Sequence, residues 1–185
     1  MIPAQRDAAE AHGDDATSWA LAARDGDPVA AAAFVRATQA DVWRFVATLV
    51  DPDTADDLTQ ETYLRAFRAL PGYAGRAGIR TWLLGIARRA CADHIRTLVR
   101  RRRLDAKLAG ERTAPVPDPA AEFGAAELLG ILPPDRRAAF ALTQVLGLSY
   151  AEAADAEGVP VGTIRSRVAR ARADLVDAVA RAMAS

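Results

Sequence analysis

The chain has 185 residues, enough to bury one large or two small cores without disulfide or metal support. Its 44 alanines, set beside few large apolar residues, favour helix over strand, and the formal net charge is zero. The longest apolar run, Val29 to Val35, falls far short of the about 20 residues a membrane-spanning helix needs, so no membrane insertion is expected. The acidic stretch Met1 to Asp15 lacks the apolar segment of a secretory signal and the basic character of a transit peptide, which predicts a cytoplasmic location. Cys91 has no cysteine to pair with, and with His12 and His94 it forms no ligand spacing, so neither a metal nor another cofactor is expected.

The neutral total conceals a segregation. Residues 1–61 carry 12 acids and 4 bases, residues 62–112 carry 3 acids and 13 bases, and residues 113–185 carry 9 acids and 7 bases. A basic middle in a neutral chain points to nucleic acid.

In chain order, helices are predicted from about Pro28 to Leu49, from Thr54 to Leu70 after a turn at Asp51-Pro52, and from Arg80 to Arg102. Pro71-Gly72 and a glycine-rich loop separate the last two. Ala109 to Ala121 reads AGERTAPVPDPAA, with no helical periodicity. Further helices are predicted at about Ala121–Leu132, Asp135–Leu146, Tyr150–Glu157 and Pro160–Ala182. The expected fold is all-α: a flexible N-terminus (1–16), a helical domain (17–104), a Pro-rich linker (105–121) and a helix-turn-helix domain (122–185).

The first helix with a chemical signature is DTADDLTQETYLRAF, Asp53 to Phe67. Asp53 and Asp56 suit the first turn, where negative charge meets the positive end of the helix dipole. Tyr63, Phe67 and Leu70 share the side expected to be buried, whereas Asp57, Glu61 and Arg65 form an outer ladder with Leu58 exposed beside them. Either a protein-binding surface or an ordinary solvated face has this pattern.

In Pro71 to Arg103, Leu83, Ile86 and Ala90 line one side of a helix, and Thr81, Trp82, Gly85, Arg88, Arg89 and Arg96 gather on the other. Aromatic and guanidinium groups together hold single-stranded nucleic acid by stacking and charge neutralisation. The alternative is that Trp82 packs under the preceding loop. That loop sets Gly72, Gly75 and Gly78 around Tyr73 and Arg76, a composition able to close over an extruded base or simply to turn.

The sharpest signal is GLSYAEAADAEGVPVGTIRSRVARARADL, Gly147 to Leu175. Ser149 and Glu152 form a capping box, Gly158 suits a left-handed helix end, and Pro160 suits the first turn of the next helix. Two helices joined by so short a turn make a helix-turn-helix. Ile164, Val168, Ala171, Leu175 and Val179 recur on one stripe, opposite Thr163, Ser166 and Arg170, with Arg165 and Arg167 on the flanks. Such a face suits the major groove.

DDLTQETYLRAF, RTWLLGIARRACADHIR, a Pro-rich linker and LSYAEAADAEGVPVGTIRSRVARARADL together resemble the extracytoplasmic-function sigma factors of bacterial RNA polymerase, over about residues 17 to 180. They are particularly similar to the actinobacterial sigma factor C subgroup. The resemblance implies a factor that binds core RNA polymerase, through its β′ and β subunits, and promoter DNA, with an anti-sigma factor as a further candidate partner. It implies docking on the β′ coiled coil by Asp56, Asp57, Gln60 and Glu61, with Arg65 adjacent. It implies capture of minus-10 DNA by the loop residues Tyr73 and Arg76, by Arg80, and by Thr81, Trp82, Arg88, Arg89 and Arg96. It implies minus-35 reading by Thr163, Arg165, Ser166, Arg167 and Arg170. Many members carry Asn where this chain has Arg89.

No phosphate-cradling glycine loop with lysine and no nucleophile dyad occurs, so no covalent chemistry is expected. The alternative reading is a stand-alone helix-turn-helix regulator, which would bind palindromic duplex without polymerase.

Overall fold

The computed structural model describes residues 15–109 and 125–184. Among these residues there are eight α-helices and no strand: α1 (15–24), α2 (Pro28–Ala47), α3 (Pro52–Ala69), α4 (Ile79–Ala109), α5 (Ala125–Gly130), α6 (Pro134–Phe140), α7 (Tyr150–Glu157) and α8 (Val161–Met183). None of them is long and apolar enough to cross a membrane.

Local chemistry sets most boundaries. Asp27 caps α2 by accepting from the amides of Val29 and Ala30, and Pro28 follows where its missing N–H costs nothing. Asp51 does the same for α3 through the amide and hydroxyl of Thr54, and these hydrogen bonds hold its carboxyl below the ordinary aspartate range. The Leu70–Gly72 segment tightens into a 3-10 turn, and α4 then runs for 31 residues.

The N-terminal core is aromatic. Phe34 meets Tyr63 and Phe67 edge to face, each at 6.2 Å, and Leu70, Ile79, Leu83 and Leu84 complete the packing. Tyr63 hydroxyl and Thr38 Oγ1 lie 2.7 Å apart inside it. In the C-terminal half Leu132, Leu142, Ile164, Val168 and Ala171 are buried. The two halves share one continuous buried cluster, because α4 packs directly on α7. Gly85 makes this possible: a Cβ there would stand 3.1 Å from the carbonyl oxygen of Ala156.

Several expectations are corrected. α1 has no clear sequence signal, because its buried residues are only Ala16 and Ala20, which give little periodic contrast. Leu58 is buried and Phe67 is about one-third exposed, the reverse of the expected arrangement, because α3 is turned about its axis towards α2 and α4. α4 continues to Ala109, into the first five residues of the expected linker. The helix predicted for Asp135–Leu146 gives way after Phe140 to a π-helical turn over Ala141–Val145, with the Leu146 amide donating to Ala141 oxygen at 2.9 Å. Residues 15 and 16 of the expected flexible N-terminus (1–16) belong to α1, with Ala16 buried; residues 1–14 and the remainder of the linker lie outside the described residues.

Candidate nucleic-acid interface

On the outer side of α3, Asp56, Asp57 and Gln60 are exposed, and Glu61 and Arg65 are half-buried. Arg65 Nε donates to Glu61 Oε1 and Nη1 to Asp93 Oδ2 on α4, each at 2.8 Å, so Arg65 braces α3 against α4. These carboxylates raise the Arg65 pKa, and Arg65 first, then Arg96, lowers that of Asp93. Two partners went unread in the sequence. The indole Nε1 of Trp43 donates to Asp56 Oδ1 at 2.8 Å, and Leu64 is exposed along the same side of α3 as Asp57 and Gln60. Both were hidden by the rule that apolar side chains belong inside.

The loop and the start of α4 differ from expectation. Tyr73 is buried, its hydroxyl donating to Ala77 oxygen at 2.6 Å and its ring 5.2 Å from that of half-buried Trp82. Thr81 is buried as well, so neither it nor Tyr73 lies on an open face, and Trp82 packs beneath the loop. The Tyr73 ring covers Trp82, and α7 covers the polar side of α4 at Gly85. Arg80 is also engaged, donating through Nε to Asp41 at 2.6 Å and through Nη2 to Leu146 oxygen at 2.9 Å. Arg76, Arg89 and Arg96 are exposed, the last paired with Asp93.

In the C-terminal half the expected capping box is present: Glu152 amide donates to Ser149 Oγ, and Ser149 amide to Glu152 Oε2. Gly158 turns the chain at φ 67°, a left-handed conformation suited to glycine, and Pro160 caps α8 from just outside it. Arg165, Ser166 and Arg170 are exposed on α8; Thr163 and Arg167 are half-buried. Arg165 and Arg170 have no ion pair among the described residues.

The candidate minus-10 and minus-35 residues meet at one carboxylate. Glu157, at the end of α7 and 3% exposed, accepts from Arg88 Nε at 2.7 Å and from Arg167 Nη1 at 2.8 Å. Asp135 accepts from the same two side chains, at 2.8 and 3.1 Å. Phosphate would find both arginines already occupied. Sequence periodicity describes one helix at a time, so this four-residue cluster from α4, α6, α7 and α8 had no local signal.

The chain matches the family description sigma-70 region 2 over residues 34–102 and sigma-70 region 4 over residues 125–175. The ECF RNA polymerase sigma factor SigC of Mycobacterium tuberculosis is 51% identical over 171 residues, covering 89% of this chain and 91% of that protein. A sigma factor RpoE from Bartonella quintana, solved in complex with the anti-sigma factor NepR, superposes with a TM-score of 0.60 at 27% identity, covering 77% of this chain and 92% of that one. The structure of CnrH with the cytosolic domain of CnrY has the same fold, with a TM-score of 0.68 at 22% identity, and covers 90% and 98%.

Proposed function

Because the chain belongs to the extracytoplasmic-function RNA polymerase sigma factors, a family that directs promoter-specific initiation, we propose how its own residues divide that work. The exposed side of α3, with Asp56, Asp57, Gln60 and Glu61, docks on the β′ subunit of core polymerase. Arg76, Trp82, Arg88, Arg89 and Arg96 hold minus-10 DNA, and Arg165, Ser166, Arg167 and Arg170 on α8 read minus-35 DNA. Tyr73 and Thr81 support the loop and the helix rather than touching bases. The factor acts in the cytoplasm and makes or breaks no covalent bond: capture of unstacked bases offsets the cost of opening the duplex. The anti-sigma factor solved with the Bartonella relative supports a partner of that class here too.

The observation that carries this division is the Glu157 bridge. With Arg88 and Arg167 held by one carboxylate, the closed chain offers neither DNA surface in full, so core polymerase must draw the halves apart before they reach two separated promoter elements. The segment between Ala109 and Ala125 spans about 50 Å when extended, enough for that separation.

Promoter-fragment binding by the full chain, with and without core polymerase, tests the proposal. Specific binding is expected only with polymerase. Tight binding to a palindromic duplex by the chain alone would establish a stand-alone regulator instead.

A further inference from the structure

α4 extends well past its packed portion. From Arg96 through Asp105 every residue is exposed, and Arg100, Arg101, Arg102 and Arg103 have no ion pair among the described residues. The division of work above leaves Arg100 to Arg103 without a role.

Its geometry is ordered. At 100° per residue, Arg89, Arg96, Arg100 and Arg103 fall within a sector of about 60° on α4, opposite the buried Leu83, Ala87, Ala90 and Cys91. The stripe rises about 21 Å from Arg89 to Arg103 at 1.5 Å per residue, the length of about six base pairs at 3.4 Å each. Its one acid, Asp93, is already engaged by Arg65 and Arg96, so the stripe stays cationic. The exposed aliphatic residues Leu98, Val99 and Leu104 lie off it.

The chemistry changes along the helix. Trp82 is the last Trp, Tyr or Phe of α4, and from Arg89 onward the stripe offers guanidinium groups with no aromatic platform beside them. Unpaired bases need that surface, whereas duplex phosphates need only charge and hydrogen bonds. In chain order α4 precedes the domain proposed to read minus-35 DNA, so in the proposed complex the paired DNA beside its C-terminal end lies on the minus-35 side of the minus-10 element. The geometry points to Arg100 and Arg103 as a phosphate clamp on the first six or so base pairs of that spacer duplex, gripping DNA irrespective of sequence. This rests on α4 lying along the minus-10 DNA.

The test uses full-length Arg100→Gln/Arg103→Gln assembled with core polymerase, on a promoter fragment from which the wild-type holoenzyme initiates. Two lost phosphate contacts should make the slope of log affinity against log salt shallower by about 1.8, at about 0.9 per contact, while Arg100→Lys/Arg103→Lys keeps the wild-type slope. Replacing the spacer phosphates next to minus-10 with uncharged methylphosphonates should weaken wild type and leave the Gln variant unaffected. Equal sensitivity of the two proteins to methylphosphonate overturns the clamp, as does a Gln variant that loses core polymerase binding with its slope unchanged, which would make the stripe a protein contact. Arg89→Gln separates the two levels of inference. If it flattens the slope and the Gln pair does not, only the clamp fails; if neither does, α4 does not lie on the DNA.

Discussion

Arg88 on α4 and Arg167 on α8 are far apart in the chain and belong to opposite halves of the molecule, yet each donates to a different oxygen of Glu157. The carboxylate is almost wholly enclosed and the arginines largely so. Removing one member of such a cluster leaves the others desolvated without compensation. Glu157→Gln is therefore expected to loosen the packing of α4 on α7 by about 2 kcal/mol, below the usual range for a fully buried pair because Asp135 still binds both arginines. Small-angle scattering should show a larger radius of gyration, and minus-35 duplex binding by the chain alone should rise. An unchanged radius would assign the closed arrangement to other contacts.

Gly85→Ala tests the same seam from the other side. Alanine should stabilise α4 itself by up to about 1 kcal/mol, while its methyl forces the Ala156 carbonyl back by a few tenths of an ångström. The expected outcome is undiminished helical circular dichroism with faster proteolysis between Ala109 and Ala125. Slower cleavage would mean that the seam absorbs the methyl.

Asp57 is exposed on the α3 face and has no hydrogen bond or ion pair among the described residues, so Asp57→Arg changes charge without disturbing packing. Affinity for core polymerase should drop at least tenfold, since reversing a charge at a contact turns attraction into repulsion. Fluorescence anisotropy of labelled chain with core polymerase measures it. Wild-type affinity would remove Asp57 from the docking surface.

Trp82 both packs on Tyr73 and lies on the side of α4 that faces promoter DNA in the proposed complex. Trp82→Ala should lower stability by about 2 kcal/mol, less than for a fully buried aromatic. Trp82→Phe should restore most of that stability but not the rate of strand opening, read by permanganate reactivity of minus-10 thymines. If Trp82→Phe opens DNA normally, the indole serves packing alone.

Burial pushes the Cys91 thiol up to about 12 and the Tyr63 phenol likewise to about 12. Native chain should therefore resist thiol reagents at pH 8 and react once unfolded. For Tyr63 the folded pKa lies above the unfolded value near 10, so the stability it contributes is intact below pH 10 and is lost between pH 10 and 12 as the unfolded chain ionises first. Tyr63→Phe should remove that alkaline slope from urea midpoints. A slope that persists belongs to another group.

What could be read in the sequence was local. Ser149, Glu152 and Gly158 sit within ten residues of one another and carry fixed backbone preferences, so the helix-turn-helix is legible in the sequence alone. The ladder Asp57, Glu61, Arg65 was read too, but not the brace from Arg65 to Asp93, which crosses between helices. Periodicity put Leu58 outside and Phe67 inside because a small rotation of α3 exchanges neighbouring positions, and no propensity fixes that angle. The π-helical turn at Ala141–Val145 escaped for a related reason: a fixed 100° step cannot represent an extra residue within one turn. The covered face of α4 is the least legible, since Trp82, Gly85 and Arg88 look polar or adaptable alone, and it takes the loop at Tyr73, α7 at Gly85 and the carboxylates of α6 and α7 at Arg88 to cover them.

The buried side of α7 is made of Ala153, Ala154 and Ala156, and the nearest position on α4 is a glycine. Surfaces of methyl groups have no long side chains to interlock, so the apolar contact of α7 on α4 by itself resists parting little, and the pairs of Arg88 with Glu157 and Asp135 are what hold the halves together there. Three methyls represent about 2.4 kcal/mol of burial at about 0.8 each, less than two leucines typically supply. Kinetically, the opening of the seam is expected to be set by the release of Arg88 from Glu157 and not by unlocking of apolar side chains. In the separated state it exposes only a small, smooth apolar patch, which lowers the risk of self-association.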